Sequence, residues 1–253
     1  MTRRGPSTVA PRRAPAPGTI ACWRVDLDQP EDRVPALAEV LSPDERERAS
    51  RFVFARDRRR FIVTRACLRA LLARACDVPA VAIRFAYAER GKPSLACGTG
   101  APPVHFNVSH SGDLALIALA PDTPLGIDVE AVRPLADRSD IASRYFTATE
   151  ARTIATVPSH ERDLAFFLCW TRKEAFSKAL GDGLALPLDR YRVACRPGEP
   201  AQILEVDGSA TEAGQWSVHD LRPAPGFVGA AVMRAPPRPL TLVRLDVDHA
   251  VGA

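Results

Sequence analysis

The spacing of hydrophobic residues in the first half of the chain changes from one element to the next. Residues 20–27 alternate weakly between apolar and polar and predict a strand, whereas residues 56–76 carry an apolar stripe at helical spacing. Ahead of that helix, Ser42-Pro43-Asp44-Glu45 is typical of a helix start, with a serine cap, an early proline and a glutamate three residues after the serine. Three further strands are predicted, over residues 80–87, 104–108 and 114–120.

A break at Pro121-Asp122-Thr123-Pro124 divides the chain near its middle, and a similar mixture of elements follows it. The pattern predicts a strand over residues 125–130, helices over 148–157 and 161–180, and a strand-rich region from 191 to 247. We therefore predict an α+β fold of two similar halves packed together, residues 20–122 and 123–247. No sequence repeat is strong enough to prove a duplication.

The net charge of +4 is carried by an N-terminal tail and not by the body of the chain. Residues 1–19 hold four arginines and no acidic residue, which leaves 30 basic and 30 acidic residues elsewhere. Four prolines and few large apolar side chains predict that this tail is disordered. Because the rest of the chain is neutral overall, we expect no nucleic-acid partner, and any anion binding requires a local cluster of positive charge.

Nothing in the sequence points to a membrane or to secretion. The longest apolar run, residues 114–120, is far too short to span a bilayer, and no charged-then-apolar start resembles a secretory signal. The six cysteines form no C-x-x-C pair and have no spacing to histidine that suits zinc, so buried reduced thiols are the simplest account. We therefore expect a cytoplasmic protein with no membrane partner.

The long helix predicted over residues 56–76 has a second, basic face. Arg58, Arg65 and Arg69 share it. Such a face is most often simply solvated, and the alternative is a docking surface for an acidic partner.

Two acidic side chains alternate along the strand Gly126-Ile127-Asp128-Val129-Glu130. If Ile127 and Val129 enter the core, Asp128 and Glu130 point together to the opposite face. One interpretation is an ordinary strand with a solvated face. The other is a site for a hard cation such as Mg²⁺, because adjacent carboxylates repel unless a cation lies between them and Mg²⁺ prefers oxygen ligands.

A glutamate and a lysine share one face of the helix predicted over residues 161–180. Glu174 and Lys178 are four residues apart, so they could form a surface ion pair of small energetic value. Alternatively, Glu174 is a third carboxylate for the cation, and Lys178 is a positive charge for a phosphate one helical turn away.

Ser109 and His110 fall in the segment predicted to connect two strands, Ser109-His110-Ser111-Gly112-Asp113. A hydrolase triad is not supported, because adjacent serine and histidine cannot readily face each other and no G-x-S-x-G motif is present. A phosphate contact suits a loop rich in hydroxyl, imidazole and backbone donors, and Lys92 beside Gly91 would add a cation.

Glu150 has a structural explanation. It stands three residues after Thr147, the spacing of a capping box at a helix start. No P-loop or G-x-G-x-x-G motif occurs, so the usual nucleoside triphosphate and dinucleotide folds lack support.

Taken together, these segments resemble the 4′-phosphopantetheinyl transferases, specifically the larger surfactin-synthetase-activating type. Each motif is short, but their order and spacing agree over roughly residues 20 to 245. The principal matching stretches are Phe106-Asn107-Val108-Ser109-His110-Ser111, Gly126-Ile127-Asp128-Val129-Glu130 and Trp170-Thr171-Arg172-Lys173-Glu174-Ala175. Supporting stretches are Gly91-Lys92-Pro93, Arg144-Tyr145-Phe146 and Gly183-Leu184-Ala185-Leu186-Pro187-Leu188.

The resemblance implies a monomer whose halves are related by a pseudo-twofold axis, with coenzyme A bound between them. It also implies transfer of the 4′-phosphopantetheine arm of coenzyme A to a serine of an apo acyl or peptidyl carrier protein, with release of adenosine 3′,5′-bisphosphate. The carrier could belong to fatty-acid, polyketide or nonribosomal-peptide synthesis.

The resemblance assigns residues as well. Asp128, Glu130 and Glu174 would hold Mg²⁺, or Mn²⁺, which accepts the same ligands. Contacts to coenzyme A and its phosphates are implied for Arg60, Lys92, Ser109, His110 and Lys178, and among the residues of the short basic helix we choose Arg48 over Glu45. For the base that takes the proton of the carrier serine, we rank Glu174 first, Glu150 second, and a metal-bound water as a third option.

Two other classes of function remain open at this point. A catalytically idle module on the same fold would bind coenzyme A or the carrier without Mg²⁺. A metal-dependent phosphoesterase would hydrolyse coenzyme A without any protein acceptor. The presence of all three carboxylates together with His110 and Lys178 favours the transferase.

Overall fold

The computed structural model describes residues 15–87, 93–96, 104–181 and 187–251, and it confirms that strands and helices mix in both halves. The N-terminal half contains β1 (Ile20–Asp26), α1 (Val34–Glu39), α2 (Pro43–Ser50), α3 (Ala55–Cys76), β2 (Phe85–Tyr87), β3 (Pro93–Leu95), β4 (His105–Ser111) and β5 (Leu114–Ala120). The C-terminal half contains β6 (Leu125–Ala131), α4 (Arg138–Tyr145), α5 (Ala148–Thr156), α6 (Arg162–Leu180), β7 (Tyr191–Val193), β8 (Ile203–Val206), α7 (Ala210–Ala213), β9 (Ser217–Leu221) and β10 (Phe227–Met233). The last elements are β11 (Leu240–Arg244) and α8 (Val247–Val251).

The two halves repeat one topology, which the sequence could not prove. In each half the first strand pairs antiparallel with the last, and the last pairs antiparallel with the strand before it. The resulting orders are β1-β5-β4 and β6-β10-β9. A long helix, α3 or α6, and a two-stranded hairpin, β2–β3 or β7–β8, lie between the first strand and the last two.

One strand departs from this repeat. β11 pairs parallel with β1 at the outer edge of the N-terminal sheet, and α8 contributes Val247 and Ala250 to the N-terminal core. Residues 240–251 therefore pack on the N-terminal half, although the sequence pattern placed the chain up to residue 247 in the C-terminal half. The exact limits of the two halves stay a prediction.

The buried side chains form four layers. α3 packs on the outer face of the N-terminal sheet and α6 on the outer face of the C-terminal sheet. The inner faces of the two sheets pack on each other through small and branched apolar residues. β5 is buried along its whole length because its alternate residues enter the outer and the inner layer.

Both long helices end in a left-handed residue, and both are preceded by a helix with a capping box. α3 ends at Asp77 with φ 56° and α6 at Gly181 with φ 87°. The predicted capping boxes of Ser42 with Glu45 and of Thr147 with Glu150 are confirmed at the starts of α2 and α5.

Two expectations are corrected. Ser109, His110 and Ser111 lie on β4 and not in a loop, because Gly112, with φ 57°, allows a two-residue turn directly after the strand. Residues 80–87 form a short 3₁₀ turn and then β2, not one strand.

The basic face of α3 is also not solvated as a whole. Arg69 is 1% exposed and Arg65 is largely buried, and both bind the buried carboxylate of Glu45. Arg58 alone of the three remains exposed. The sequence pattern could not reveal this, because the partner lies on another helix.

The five cysteines in the described part of the chain are free and buried, as expected for reduced thiols. No described helix is long and apolar enough to cross a bilayer. Of the expected disordered tail, residues 15–19 belong to the described part, where the backbone N–H of Gly18 donates to Asp122, and residues 1–14 lie outside it.

Candidate active site

The edge strands of the two sheets, β4 and β6, lie side by side and are joined by side chains. The backbone N–H of Ile127 donates to the Asn107 side-chain oxygen over 2.9 Å. The Ser109 hydroxyl donates to Asp128 Oδ1 and the Ser111 hydroxyl to Glu130 Oε2, each over 2.7 Å. Three alternate residues of one strand thus orient the acidic strand of the other half.

Apolar neighbours fix the direction in which the two carboxylates point. Ile127 and Val129 are fully buried in the layer between the sheets, as predicted from the alternation. Asp128 and Glu130 consequently lie on the opposite face of β6, where α6 packs. Asp128 is 4% exposed, so this face is not an ordinary solvated one.

A glycine brings α6 close to β6. A Cβ atom at Gly126 would lie 2.0 Å from the carbonyl oxygen of Ala175 and 2.4 Å from the backbone nitrogen of Ala179. No other residue fits at this position without moving the helix. The close approach sets Glu174 and Lys178 of α6 against Asp128.

Lys178 does not pair with Glu174 on the helix surface but reaches across to β6. Its ammonium group donates to Asp128 Oδ1 over 2.7 Å, and to the Ser109 hydroxyl and the Ile127 carbonyl oxygen over 3.2 Å each. One lysine therefore contacts both edge strands, and a positive charge is fixed at the junction of the halves.

Burial and neighbouring negative charges raise the pKa of two carboxylates of the cluster, Glu174 and Glu130. The pKa of Glu174 is raised first by burial and then by the negative charges of Asp128 and Glu130, against the opposing charge of Lys178. The pKa of Glu130 is raised by burial and by Asp128, although the Ser111 hydroxyl and Arg133 oppose the rise. The cluster is electrostatically strained at neutral pH and would gain from a further cation.

The carboxylates are ligands of the type that a divalent cation prefers, but they do not converge as the ligands of a formed metal site would. Among the described residues, no three histidine, cysteine or acidic side chains converge on a common point. Asp128 Oδ1 and Glu130 Oε2 are taken by hydrogen-bond donors, but the buried atoms Asp128 Oδ2 and Glu174 Oε1 have no hydrogen-bond partner. Two buried carboxylate oxygens without partners are costly unless a cation satisfies them.

His110 lies beside the carboxylate cluster, and Arg60 of α3 lies close to His110. Partial desolvation, Lys178 and Arg60 all lower the pKa of His110, so a neutral imidazole is favoured at pH 7. Arg60 of α3 donates to Asp113 in the β4–β5 turn over 2.8 Å. Its guanidinium is thereby tied to the turn that follows His110.

Arg48 lies further along the same surface, with its guanidinium carbon 5.3 Å from the centre of the Phe61 ring. Arg48, Arg51, Phe52 and Tyr87 line a surface cavity of about 550 Å³. Glu45, in contrast, is buried and bound by Arg65 and Arg69, so it does not reach this surface. Lys92 lies outside the described residues.

Comparison with known proteins decides what this site belongs to. The family model for the N-terminal part of 4′-phosphopantetheinyl transferases matches residues 29–122, and the model for the 4′-phosphopantetheinyl transferase superfamily matches residues 124–232. The 4′-phosphopantetheinyl transferase HetI of Nostoc sp. is 38% identical over 214 residues, which are 85% of this chain and 87% of HetI. This chain belongs to the 4′-phosphopantetheinyl transferase superfamily.

Other members of the superfamily agree over shorter lengths. The 4′-phosphopantetheinyl transferase Sfp of Bacillus subtilis is 35% identical over 68% of this chain and 75% of its own length. The human L-aminoadipate-semialdehyde dehydrogenase-phosphopantetheinyl transferase is 34% identical over 62% of this chain and 53% of its own length. The predicted family and enzyme class, a 4′-phosphopantetheinyl transferase, are confirmed.

Within this transferase, the contacts of Glu150 are those of a structural residue. One carboxylate oxygen binds the backbone N–H and hydroxyl of Thr147 and the ammonium group of Lys173, and the other accepts the backbone N–H of Val193 over 2.7 Å. Both oxygens are engaged and the side chain is 1% exposed. These contacts give no support to a role as base, which stays a prediction.

The sequence reasoning missed the residue that this arrangement depends on. Lys173 is fully buried and donates to Glu150 and to the carbonyl oxygens of Leu188 and Tyr191. It immediately precedes Glu174, so it fixes α6 where the carboxylate cluster forms. The position of Lys173 in the Trp170–Ala175 stretch was one sequence signal for this arrangement, and the alternation of the polar residues Asn107, Ser109 and Ser111 was another. Neither signal shows which residue each of these side chains contacts.

Proposed function

We propose that this transferase moves the phosphopantetheine arm of coenzyme A onto a serine hydroxyl of an apo acyl or peptidyl carrier protein, in a reaction that depends on Mg²⁺. The serine oxygen forms the new bond to the phosphorus that carries the pantetheine arm. The bond from that phosphorus to the bridging oxygen breaks, and adenosine 3′,5′-bisphosphate leaves. The family implies coenzyme A as the substrate, and the carriers follow from the same family.

One observation supports this proposal above the others. Three acidic residues and a lysine lie at the junction of two sheets, and two of the buried carboxylate oxygens lack a hydrogen-bond partner. Asp128, Glu130 and Glu174 would hold Mg²⁺, or Mn²⁺, which takes the same oxygen ligands. The bound cation supplies neutralisation of charge on the pyrophosphate oxygens.

The remaining residues bind and orient the substrates. Lys178 and neutral His110 would donate to phosphate oxygens, and Arg60 and Arg48 extend the positive surface toward the nucleotide end of coenzyme A. Ser109 orients Asp128 through its hydroxyl. Direct contacts of Ser109 and Lys92 with coenzyme A stay part of the proposal.

Glu174 is the residue we assign as the base. Burial and the negative charges of Asp128 and Glu130 raise the pKa of Glu174, which favours uptake of a proton. Its buried oxygen Oε1 would face the cation, and the proton of the carrier serine would pass to the other carboxylate oxygen as the new bond to phosphorus forms. All of these residues belong to one chain, which supports action as a monomer.

The test is the intact mass of a panel of apo carrier proteins after incubation with the enzyme, coenzyme A and Mg²⁺. We expect a gain of one phosphopantetheine arm that is abolished by EDTA and restored by added Mg²⁺. Binding of coenzyme A without any gain on any carrier would point to an idle binding module. Release of adenosine 3′,5′-bisphosphate without an acceptor would point to a phosphoesterase.

A further inference from the structure

Arg172 is a buried charge on α6 that the proposed reaction does not use. Its side chain is 1% exposed, and its Nε and Nη2 atoms donate to the Asp220 carboxylate, with 2.7 Å between Nη2 and Oδ2. The third nitrogen, Nη1, donates to the carbonyl oxygen of Ala194. Every nitrogen of the guanidinium therefore has an acceptor, and the two-pronged contact fixes the direction of the pair as well as its length.

The Asp220 end of this pair lies in the same row of the sheet as Asp128. Both residues pair with Ala230, the middle residue of β10, Asp128 from β6 on one side and Asp220 from β9 on the other. Both carboxylates lie on the face that α6 covers, where Lys178 binds the first and Arg172 the second. Since one strand separates them, the ends of the row are roughly 10 Å apart, or about two strand spacings. An ion pair thus holds α6 to the sheet at each end of one row.

Glu174 lies on α6 between these two attachment points, two residues after Arg172 and four before Lys178. It belongs to the helix, whereas the other two carboxylates of the cluster, Asp128 and Glu130, belong to β6. The distance from Glu174 to these carboxylates consequently depends on where α6 lies on the sheet. Within the described residues, its buried oxygen Oε1 accepts no hydrogen bond that could hold it in place independently of the helix.

At the corresponding positions the N-terminal half has apolar residues. The row through the middle residue of β5 consists of Trp23, Ile117 and Val108, which all pack in the apolar core with α3. Leu68 corresponds to Arg172, because each immediately precedes the basic residue that binds the buried capping-box glutamate of its half. An apolar row is thus sufficient to hold a long helix on its sheet, and the fold alone does not require the ion pair.

The advantage of an ion pair at this place is direction and not stability. Apolar residues of similar volume generally stabilise a core as well as a buried ion pair does, or better. A bidentate arginine, however, fits its carboxylate in one orientation, whereas apolar contacts have no preferred direction. Among the described residues, the charges that shift the pKa of Glu174 belong to the two strand carboxylates and Lys178, so Arg172 acts through the position of the helix and not through its own charge.

We propose that Arg172 and Asp220 are positioning residues of the transfer reaction, and that their ion pair fixes α6 where Glu174 can join the carboxylates of β6 around the cation. Residues that orient the ligands of a metal commonly change metal affinity or activity by about 10–100-fold when they are replaced. This inference rests on the proposed function.

The test copies the apolar pair of the N-terminal half into the C-terminal half. The double variant Arg172→Leu with Asp220→Val leaves neither charge without its partner, so its unfolding temperature in EDTA should equal or exceed that of the wild type. Its kcat should fall at least about tenfold, while the KM for coenzyme A should stay within about twofold of wild type. Its affinity for Mn²⁺, measured by electron paramagnetic resonance with coenzyme A and without a carrier, should fall about tenfold or more.

Two further variants separate position from charge and from the loss of an ion pair as such. Arg172→Lys keeps the positive charge but not the two-pronged contact, and it should lower kcat and the Mn²⁺ affinity in the same direction as the double variant. Arg192→Leu with Glu205→Val is the matched control, because it removes an arginine–carboxylate pair between β7 and β8 of the same half. This control should leave kcat and the Mn²⁺ affinity within about twofold of wild type.

A folded double variant with the kcat and the Mn²⁺ affinity of the wild type would overturn the proposal and leave the ion pair with a structural role only. A lower unfolding temperature with both quantities unchanged wherever the variant is folded would overturn it as well. If the double variant does not fold, Arg172→Lys decides the question by the same two measurements. A wild-type enzyme that binds Mn²⁺ but modifies no carrier would count against the proposed function, and the Mn²⁺ affinities would then decide the positioning role separately.

Discussion

The two halves of the enzyme use the same internal support, but only the C-terminal half carries the cluster of three carboxylates. In each half a capping-box glutamate, Glu45 or Glu150, is buried and bound by a basic residue of the long helix, Arg69 or Lys173. Both basic residues also donate to two backbone carbonyl oxygens in the segment that follows the helix.

The two halves differ at three positions where the first strand and the long helix face each other. When β5 is aligned end to end with β10, Trp23 takes the place of Asp128, and Val25 the place of Glu130. Counting from the matched basic residues, Ala70 of α3 takes the place of Glu174. The N-terminal half therefore keeps an apolar interface where the C-terminal half has buried charge.

The two halves differ in the electrostatic cost of the layer between strand and helix. At the matching positions the N-terminal layer has apolar side chains, and its buried atom without a partner there is the neutral indole nitrogen of Trp23, whereas the C-terminal layer contains carboxylate oxygens that lack partners. A duplicated framework can carry such an unfavourable cluster in one copy because the other copy and the shared inner layer stabilise the whole.

The largest expected effect comes from removing a negative charge that the N-terminal strand lacks. Asp128→Asn should lower the transfer rate at least about a thousandfold, because it removes both a carboxylate proposed to bind the cation and the ion-pair partner of Lys178. Quantitative mass analysis of the carrier measures the rate, and circular dichroism checks the fold. Activity within tenfold of wild type would contradict the metal assignment.

The second prediction compares how much the two buried basic residues, Lys173 and Arg69, stabilise the halves in which they lie. Lys173→Met should destabilise the protein by about 3–5 kcal/mol, because it leaves the buried Glu150 carboxylate without its cation. Arg69→Met should cost less, because Arg65 still binds Glu45. Urea unfolding measures both costs.

The same pair should also differ in activity. At temperatures where both variants are folded, Lys173→Met should lower kcat through its neighbour Glu174, and Arg69→Met should not. Equal kcat losses in the two variants would remove the positioning role assigned to Lys173.

The third prediction concerns how closely helix and strand approach. Gly126→Ala should destabilise by about 1–3 kcal/mol or more, because the new Cβ would overlap the backbone of α6. The matching residue of β1 is Ala21, whose Cβ atom is accommodated in the N-terminal core. Ala21→Gly should cost only about 0.5–1 kcal/mol, and thermal unfolding of both variants tests the contrast.

The smallest expected effect is a gain in stability without metal. Because the folded state raises the pKa of Glu174, this residue lowers stability above its folded pKa and ceases to do so below its unfolded pKa. Glu174→Gln should therefore unfold at a higher temperature than wild type in EDTA at about pH 7, and the difference should shrink toward about pH 4. A lower unfolding temperature for the variant at both pH values would show that the carboxylate is not strained.

The sequence was sufficient for what short-range pattern determines. Alternation along residues 125–130 correctly oriented Asp128 and Glu130, and the capping boxes of Glu45 and Glu150 were visible as local motifs. The strand and helix limits near the site also agreed within a residue or two, apart from β4, which extends through Ser111.

The sequence did not reveal which residue each charged side chain contacts. Arg65 and Arg69 looked like a solvated face, yet they neutralise a carboxylate that lies 20 and 24 residues earlier in the chain. Likewise, a surface ion pair with Glu174 on its own helix was one of the two interpretations of Lys178, but Lys178 binds Asp128 of another element. Long-range contacts of this kind depend on how the sheets meet, and no local period encodes that.

The pairing of β11 with β1 has a consequence for how the enzyme is made. The Thr241 hydroxyl bonds to the Ile20 carbonyl oxygen, 221 positions earlier, so β1 gains this neighbour only after the whole C-terminal half has been synthesised. Synthesis runs from one end of the chain to the other, but assembly of the first half is completed by β11 and α8. A chain that stopped before β11 would carry every residue of the carboxylate cluster and still leave an open sheet edge, a template for aggregation.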